Sequence, residues 1–230
     1  MEELSPHFRL WALDLVGFGD SRHHDHTRIL TIHDHMELTV AFCGAVNILP
    51  YAIIGHSMGG AITLDIALSY PDIFEKMILV SPVITGRLGF NLHWLLMTGL
   101  GQAVLNNSER IWPQILQSAG AGIFLPPPYL EPQAAHRNLE DFRKSTWSAS
   151  YGGLQSILKV ELAHRLHEIQ MPTLIITGTQ DPTIPPADSR LAASRINGAQ
   201  LLEVENCHHH VTDEDPVVFH RAVSGFLGIG

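Results

Sequence analysis

A chain of 230 residues with 45% hydrophobic and 16% charged content is long enough and apolar enough to bury a core, so a disordered protein is excluded. A formal net charge of −9 disfavours nucleic acid or an anionic membrane as partner. No basic n-region precedes an apolar h-region, Leu88 to Gly101 is too short and too Gly-broken to span a bilayer, and two cysteines, Cys43 and Cys207, make no disulfide framework. The composition therefore reads as a soluble cytoplasmic protein with no membrane insertion.

In chain order, residues 8–15 read as a strand, followed by a loop from Gly17 to Leu30. The spacing then predicts a helix from about Ile32 to Val46. Thr31 is its N-cap, Asp34 stands three residues on, and Leu38, Phe42, Ala45 and Val46 form the apolar face. Tyr51 to Ile54 reads as a buried strand, residues 60–70 as a helix stopped by Pro71, and residues 77–81 as a further strand. From about Thr85 to Gln170 the strand pattern gives way to helical stretches near 91–105, 108–119, 136–149 and 153–166, broken by Pro126-Pro127-Pro128. Strands return at Pro172 to Gly178 and at Gln200 to Glu205. This order predicts an α/β core over 1–84 and 171–230, a mostly parallel sheet flanked by helices, with a helical cap inserted over 85–170.

Between the strand ending at Ile54 and the helix beginning near Ala61 lies Gly55-His56-Ser57-Met58-Gly59-Gly60. A G-x-S-x-G run in a strand–turn–helix context is a nucleophile elbow: a turn so sharp that Cβ atoms on the neighbours of Ser57 are unwelcome, which Gly55, Gly59 and Gly60 avoid. The N–H of Met58, at the helix start, is placed to face an oxyanion. The strand at 172–178 ends in Thr179-Gln180-Asp181-Pro182, and the strand at 200–205 is followed by Asn206-Cys207-His208-His209-His210. A serine hydroxyl needs a base, an imidazole is that base near neutral pH, and a carboxylate fixes its tautomer.

The order Ser, Asp, His, with LDLVGFGDS at 13–21, GHSMGG at 55–60, MILVSP at 77–82, PTLIITGTQD at 172–181 and the segment from His209 to Leu227, resembles the α/β-hydrolase superfamily in its cap-bearing serine esterase branch. The resemblance implies a triad of Ser57, Asp181 and His209. In the family pattern the histidine stands five residues before an acid and seven before a proline, and Glu214 and Pro216 select His209 over His208 and His210. The family's usual glycine before this histidine is here His208. A serine nucleophile argues against the Asp-dependent epoxide hydrolases and haloalkane dehalogenases. Cys207 reads as a small packed residue at a strand end.

The resemblance implies carboxylic ester hydrolysis through an acyl-enzyme. Two alternatives stand beside it. One is carbon–carbon bond hydrolysis of a diketone ring-fission product, which calls for a cation such as Arg87 or Arg143. The other is a hydrolase-fold protein that binds a ligand or partner with little turnover. In the family a second oxyanion donor comes from a His-Gly loop after the third strand. Met1 to His7 resembles the helix that follows that loop, and residues 8–15 the fourth strand, so neither the third strand nor the second donor is expected here. That predicts weak hydrolysis of activated esters and a homo-oligomer formed through the edge at 8–15. Trp94, Leu95, Met97, Phe124 and Trp147 are candidates for an apolar pocket under the cap, or for packing among its helices. The histidines and acids from His23 to His35 suggest no intrinsic metal site, because His33 and Asp34 diverge on a helix. No cofactor is expected, and a small-molecule ester is the expected partner.

Overall fold

The computed structural model describes residues 4–23, 28–89, 96–117 and 129–229. Among these, four strands form one parallel sheet in the order β1-β2-β3-β4: β1 Ala52–His56, β2 Lys76–Val80, β3 Thr173–Gly178 and β4 Gln200–Val204. Ile54 pairs with Ile78, Ile78 with Leu174, and Leu174 with Gln200. Alternation along β2 divides the core in two. Met77 and Leu79 enter the larger cluster with Met36, Leu64, Ile66 and Ile175, while Ile78 and Val80 face Ile176, Phe219 and Val223. Helices α1 (Ile32–Ala45), α2 (Met58–Ser69) and α7 (Pro186–Arg195) cover the first face. The short α8 (Val211–Glu214) and α9 (Pro216–Leu227) cover the second.

Between β2 and β3 lie α3 (Gly99–Asn106), α4 (Trp112–Gln117), α5 (Pro132–Arg143) and α6 (Trp147–Ile157). Helix α6 is tied to the core. Thr146 N–H donates to Gly17 O at 2.8 Å and Ile32 N–H to Ser156 Oγ at 3.2 Å. A Cβ on Gly152 would strike the Leu30 carbonyl, and one on Gly153 would lie 2.9 Å from Met58 Sδ. At the other end of the insertion, the buried Asp188 of α7 accepts from Ile84 N, Thr85 N and Thr85 Oγ1. Burial raises its pKa, outweighing these hydrogen bonds and the charge of Arg87, which pull it down.

Several sequence expectations change here. Residues 8–15 form no strand: no ladder joins them to β1, although Phe8 stacks on Tyr51 at 5.8 Å and Trp11 meets Phe42 edge-on at 5.7 Å. Apolar content makes a segment sticky, but only a neighbouring strand at the right spacing makes it a strand. The sheet edge is β1, with Ile54 43% exposed, and not 8–15. On α1 the capping box of Thr31 and Asp34 forms as the pattern implies. The buried face, however, is Ile32, His35, Met36 and Cys43; Leu38 and Val46 are exposed. The helix carries two apolar stripes, and packing against α2 selects the first. The last helical stretch ends at Ile157, with a single 3₁₀ turn at Leu166–Glu168 in place of its continuation.

Candidate active site

Ser57 sits between the last residue of β1 and the first of α2 with φ +53° and ψ −114°, a left-handed conformation that a non-glycine residue holds only when its surroundings enforce it. The enforcement is visible. Ser57 N–H donates to Val80 O at 2.9 Å, and Ser57 O accepts from Gly60, Ala61 and Val83. A Cβ on Gly55 would collide with Gly59 O and Thr63 Oγ1, and one on Gly60 would come within 2.8 Å of Pro82 Cβ. Gly59 differs from the expectation: a Cβ there meets nothing within 4 Å, so the close approach rests on Gly55 and Gly60. Met58 opens α2, so its N–H has no carbonyl one turn back within the helix to bond.

Asp181 and His209 meet at the ends of β3 and β4. His209 Nδ1 lies 2.7 Å from Asp181 Oδ2, and both side chains are buried. Asp181 Oδ1 also accepts from Thr183 N at 2.8 Å and Ile184 N at 3.0 Å. Burial works to raise this carboxyl, but the His209 hydrogen bond and charge and the two N–H groups outweigh it, so its pKa lies below the ordinary value. An ionised Asp181 accepts a hydrogen bond from Nδ1–H, which keeps the proton on Nδ1 and the lone pair of His209 on Nε2, the tautomer a general base needs.

The adjacent histidines have other partners. His208 Nδ1 contacts Glu214 Oε2 at 2.8 Å, and its ring stacks on Tyr129 with centroids 3.9 Å apart. Glu214 also accepts from the N–H groups of His208 and His210, which ties down the loop on both sides of His209. Burial pushes the pKa of Tyr129 up to about 12, helped by the charges of Asp181 and Glu214 and opposed by hydrogen bonding to the His209 backbone and Thr183. His210 is held below its ordinary pKa by burial and by the neighbouring His209. Cys207 is buried with its thiol pushed up by burial, which suits packing and not nucleophilic attack.

Two features here left little trace in the sequence. His56 Nε2 is 2.9 Å from His209 O. Beside His56 opens a cavity of about 590 Å³ lined in part by Asp14, Phe18, Gly19, Asn138 and Lys144. Of the expected pocket residues, Trp94, Leu95 and Phe124 lie outside the described residues. Met97 is 56% exposed, and Trp147 packs within the insertion, donating Nε1–H to Ser108 Oγ at 2.8 Å and stacking on Tyr151. Neither lines the cavity. His33 contacts Asp65 at 3.0 Å, and His24 to His26 are outside the described residues.

Residues 1–216 match the sequence profile of the family described as alpha/beta hydrolase fold. The chain belongs to that family. It is 27% identical over 213 residues to a poly(3-hydroxyalkanoate) depolymerase of Ectopseudomonas oleovorans, covering 90% of this chain and 71% of that protein. Its structure is similar to that of a hydrolase from Pseudomonas aeruginosa, with TM-score 0.74 and 24% identity over 99% of this chain and 82% of the other. It is also similar to a meta-cleavage product hydrolase from Pseudomonas fluorescens, with TM-score 0.73 and 19% identity over 99% and 82%. No helix among the described residues is long and apolar enough to cross a membrane.

Proposed function

We propose that this α/β hydrolase cleaves carboxylic esters through an acyl-enzyme on Ser57. Ser57 Oγ attacks the carbonyl carbon while its proton passes to His209 Nε2. The resulting oxyanion accepts from Met58 N–H. Collapse breaks the C–O bond, and the departing alkoxide takes the proton from Nε2. Water then repeats the sequence on the acyl-enzyme and releases the acid. Asp181 orients His209 and stabilises the imidazolium. The observation that supports this reading most is the 2.7 Å His209–Asp181 contact, joined through the His209 carbonyl to His56, the neighbour of a serine held at φ +53°.

The ester reading is preferred to carbon–carbon bond hydrolysis because neither candidate cation lines the cavity beside His56: Arg143 is ion-paired with Glu140, and Arg87 is exposed. A fluorophosphonate probe should label Ser57 alone, and short-chain nitrophenyl esters should be hydrolysed in preference to a diketone acid. Labelling that persists in Ser57→Ala would remove the serine assignment. Labelling without turnover of any ester would favour a ligand-binding role for the fold.

A further inference from the structure

The sheet order poses a problem that the triad alone does not solve. Ser57 follows β1 and His209 follows β4, and these are opposite edges of the sheet. Three strand spacings, about 14 Å, separate them. The loop after β4 therefore has to cross the ends of β3 and β2 to bring an imidazole to the elbow. Its first part is fastened to β3. Gln180 N–H donates to Cys207 O at 2.9 Å, and a Cβ on Gly178 would collide with the carbonyls of Cys207 and His208. Glu214 fixes the loop from the α8 side. On the β1 side the loop is met by His56, the residue before Ser57, whose Nε2 lies 2.9 Å from the His209 carbonyl 153 positions along the chain.

We propose that His56 is a positioning residue of this hydrolase: its Nε2–H, donated to the His209 carbonyl, holds the base-bearing loop against the nucleophile elbow. The proposal rests on the triad reading above and names what sets its geometry. A carbonyl only accepts, so the proton of His56 is on Nε2. Its ring lies 4.6 Å from that of His209 and 5.4 Å from that of His210. Burial, then the two imidazoles, push its pKa down to about 3 against the hydrogen bond to the His209 carbonyl and the weaker pull of Asp181, so it is neutral wherever the enzyme works. A second cation beside His209 would oppose formation of the imidazolium; a neutral donor does not. His56 thus serves as a fixed donor and has no proton to relay.

The test is the rate at which a fluorophosphonate labels Ser57, which needs an assembled nucleophile and base but no knowledge of the natural substrate. In His56→Ala the rate should fall about 10²-fold, the effect of an ångström-scale misplacement. His56→Gln places an amide N–H near the Nε2 position and should recover most of the rate; His56→Asn, whose amide is one carbon short, should behave like His56→Ala. On a nitrophenyl ester the loss should appear in kcat and leave KM nearly unchanged. The acid limb of the pH–rate profile should keep its midpoint in His56→Gln, because His56 does not titrate there. Folding of each variant is read from its urea midpoint. Normal labelling in a folded His56→Ala, absence of rescue by a folded His56→Gln, or an altered acid limb would each overturn the proposal while leaving the triad intact. Failure of all three variants to fold transfers the test to nitrogen-15 shifts of the native protein, where a proton on Nδ1 of His56 overturns it and one on Nε2 supports it. A wild-type protein that is not labelled at all would instead overturn the hydrolase reading, and this proposal with it.

Discussion

Strands β1 and β3 each carry a candidate catalytic residue just beyond their C-terminal ends, yet they are built differently. All six residues of β3 are buried between β2 and β4, and the strand leads directly to Asp181. Only Gly55 of β1's five residues is buried, and one edge of the strand has no partner strand among the described residues. The acid stands on the solid interior of the sheet; the nucleophile stands on one margin, and the base follows β4 at the other. Precision at the margin therefore comes from local devices: the enforced φ of Ser57, the glycine contacts of the elbow and the His56 tie. On the β3 side it comes from the ladder and from the N–H groups that clamp Asp181.

The largest effect is expected on the β3 side. Asp181→Asn keeps the shape but presents a neutral amide to His209, which favours the wrong tautomer, and kcat should drop by about 10⁴-fold. His209→Ala should be at least as damaging. His208→Ala, which removes a partner of Glu214 and Tyr129 and not of Asp181, should retain most activity. An ester assay across the three variants checks the ordering, and an inactive His208→Ala beside an active His209→Ala would shift the site by one residue.

At the margin the elbow is open to a finer comparison. Gly55→Ala drives a methyl into Gly59 O and Thr63 Oγ1, so it should cost about 1–3 kcal/mol and slow Ser57 labelling. Gly59→Ala has open space and lies in a helix, where alanine is favoured over glycine by roughly 0.5–1 kcal/mol, so it should be neutral or stabilising. Urea midpoints of the pair separate the two. Equal losses would mean that the turn tolerates no side chain anywhere, which is the rule the sequence pattern alone implied.

That pair shows what the sequence carries and what it withholds. The elbow, the strands feeding Ser57 and Asp181, and the choice of His209 through Glu214 all rest on short spacings, and those are local. Which glycine is crowded depends on Thr63 and Pro82 in three dimensions. The face of α1 was misassigned because Leu38, Phe42 and Val46 are as apolar as Ile32, Met36 and Cys43, and only the position of α2 decides between them. Residues 8–15 read as a strand because they are apolar, whereas a strand is a pairing relation. The motif assigns His56 no role, because its partner is 153 residues away.

His35 supplies a prediction about the helix that borders both regions. It is fully buried in α1, beside the Phe18 ring at 6.2 Å, and neither ring nitrogen has a partner. Burial lowers its pKa below the ordinary 6.5. In the unfolded chain it binds a proton near pH 6.5, and in the fold only at lower pH. Its neutral form therefore supports the fold above about pH 6.5, and that support is lost as pH falls from there toward the depressed value. His56 and His210 share this sign. Stability measured by urea should be lower at pH 5 than at pH 7.5. His35→Leu should reduce the difference and raise stability at pH 7.5 by about 1 kcal/mol, by removing two unpartnered nitrogens. An unchanged pH dependence would assign the acid sensitivity to the other two histidines.

The smallest effect on stability, and the one that tests the margin most directly, concerns the open edge. Ile54 on β1 is exposed, and Trp11 and Leu13 of the unpaired 8–15 run are 46% and 40% exposed. An unpaired parallel edge bearing apolar side chains is a template for a second strand, and we propose that copies of the chain associate through it. Sedimentation should show a mass that rises with concentration. Ile54→Lys places a charge on the edge at a position where substitution should change stability by less than about 0.5 kcal/mol, and it should return the mass to that of a monomer. Labelling of Ser57 should be unaffected, since Ile54 lies three residues before Ser57 and its side chain is exposed. A monomeric wild-type protein would mean that the run from Phe8 to Leu15, though it forms no ladder, already shields the edge. An associating Ile54→Lys variant would move the contact to another surface, with the exposed Leu38 and Val46 of α1 as the next place to substitute.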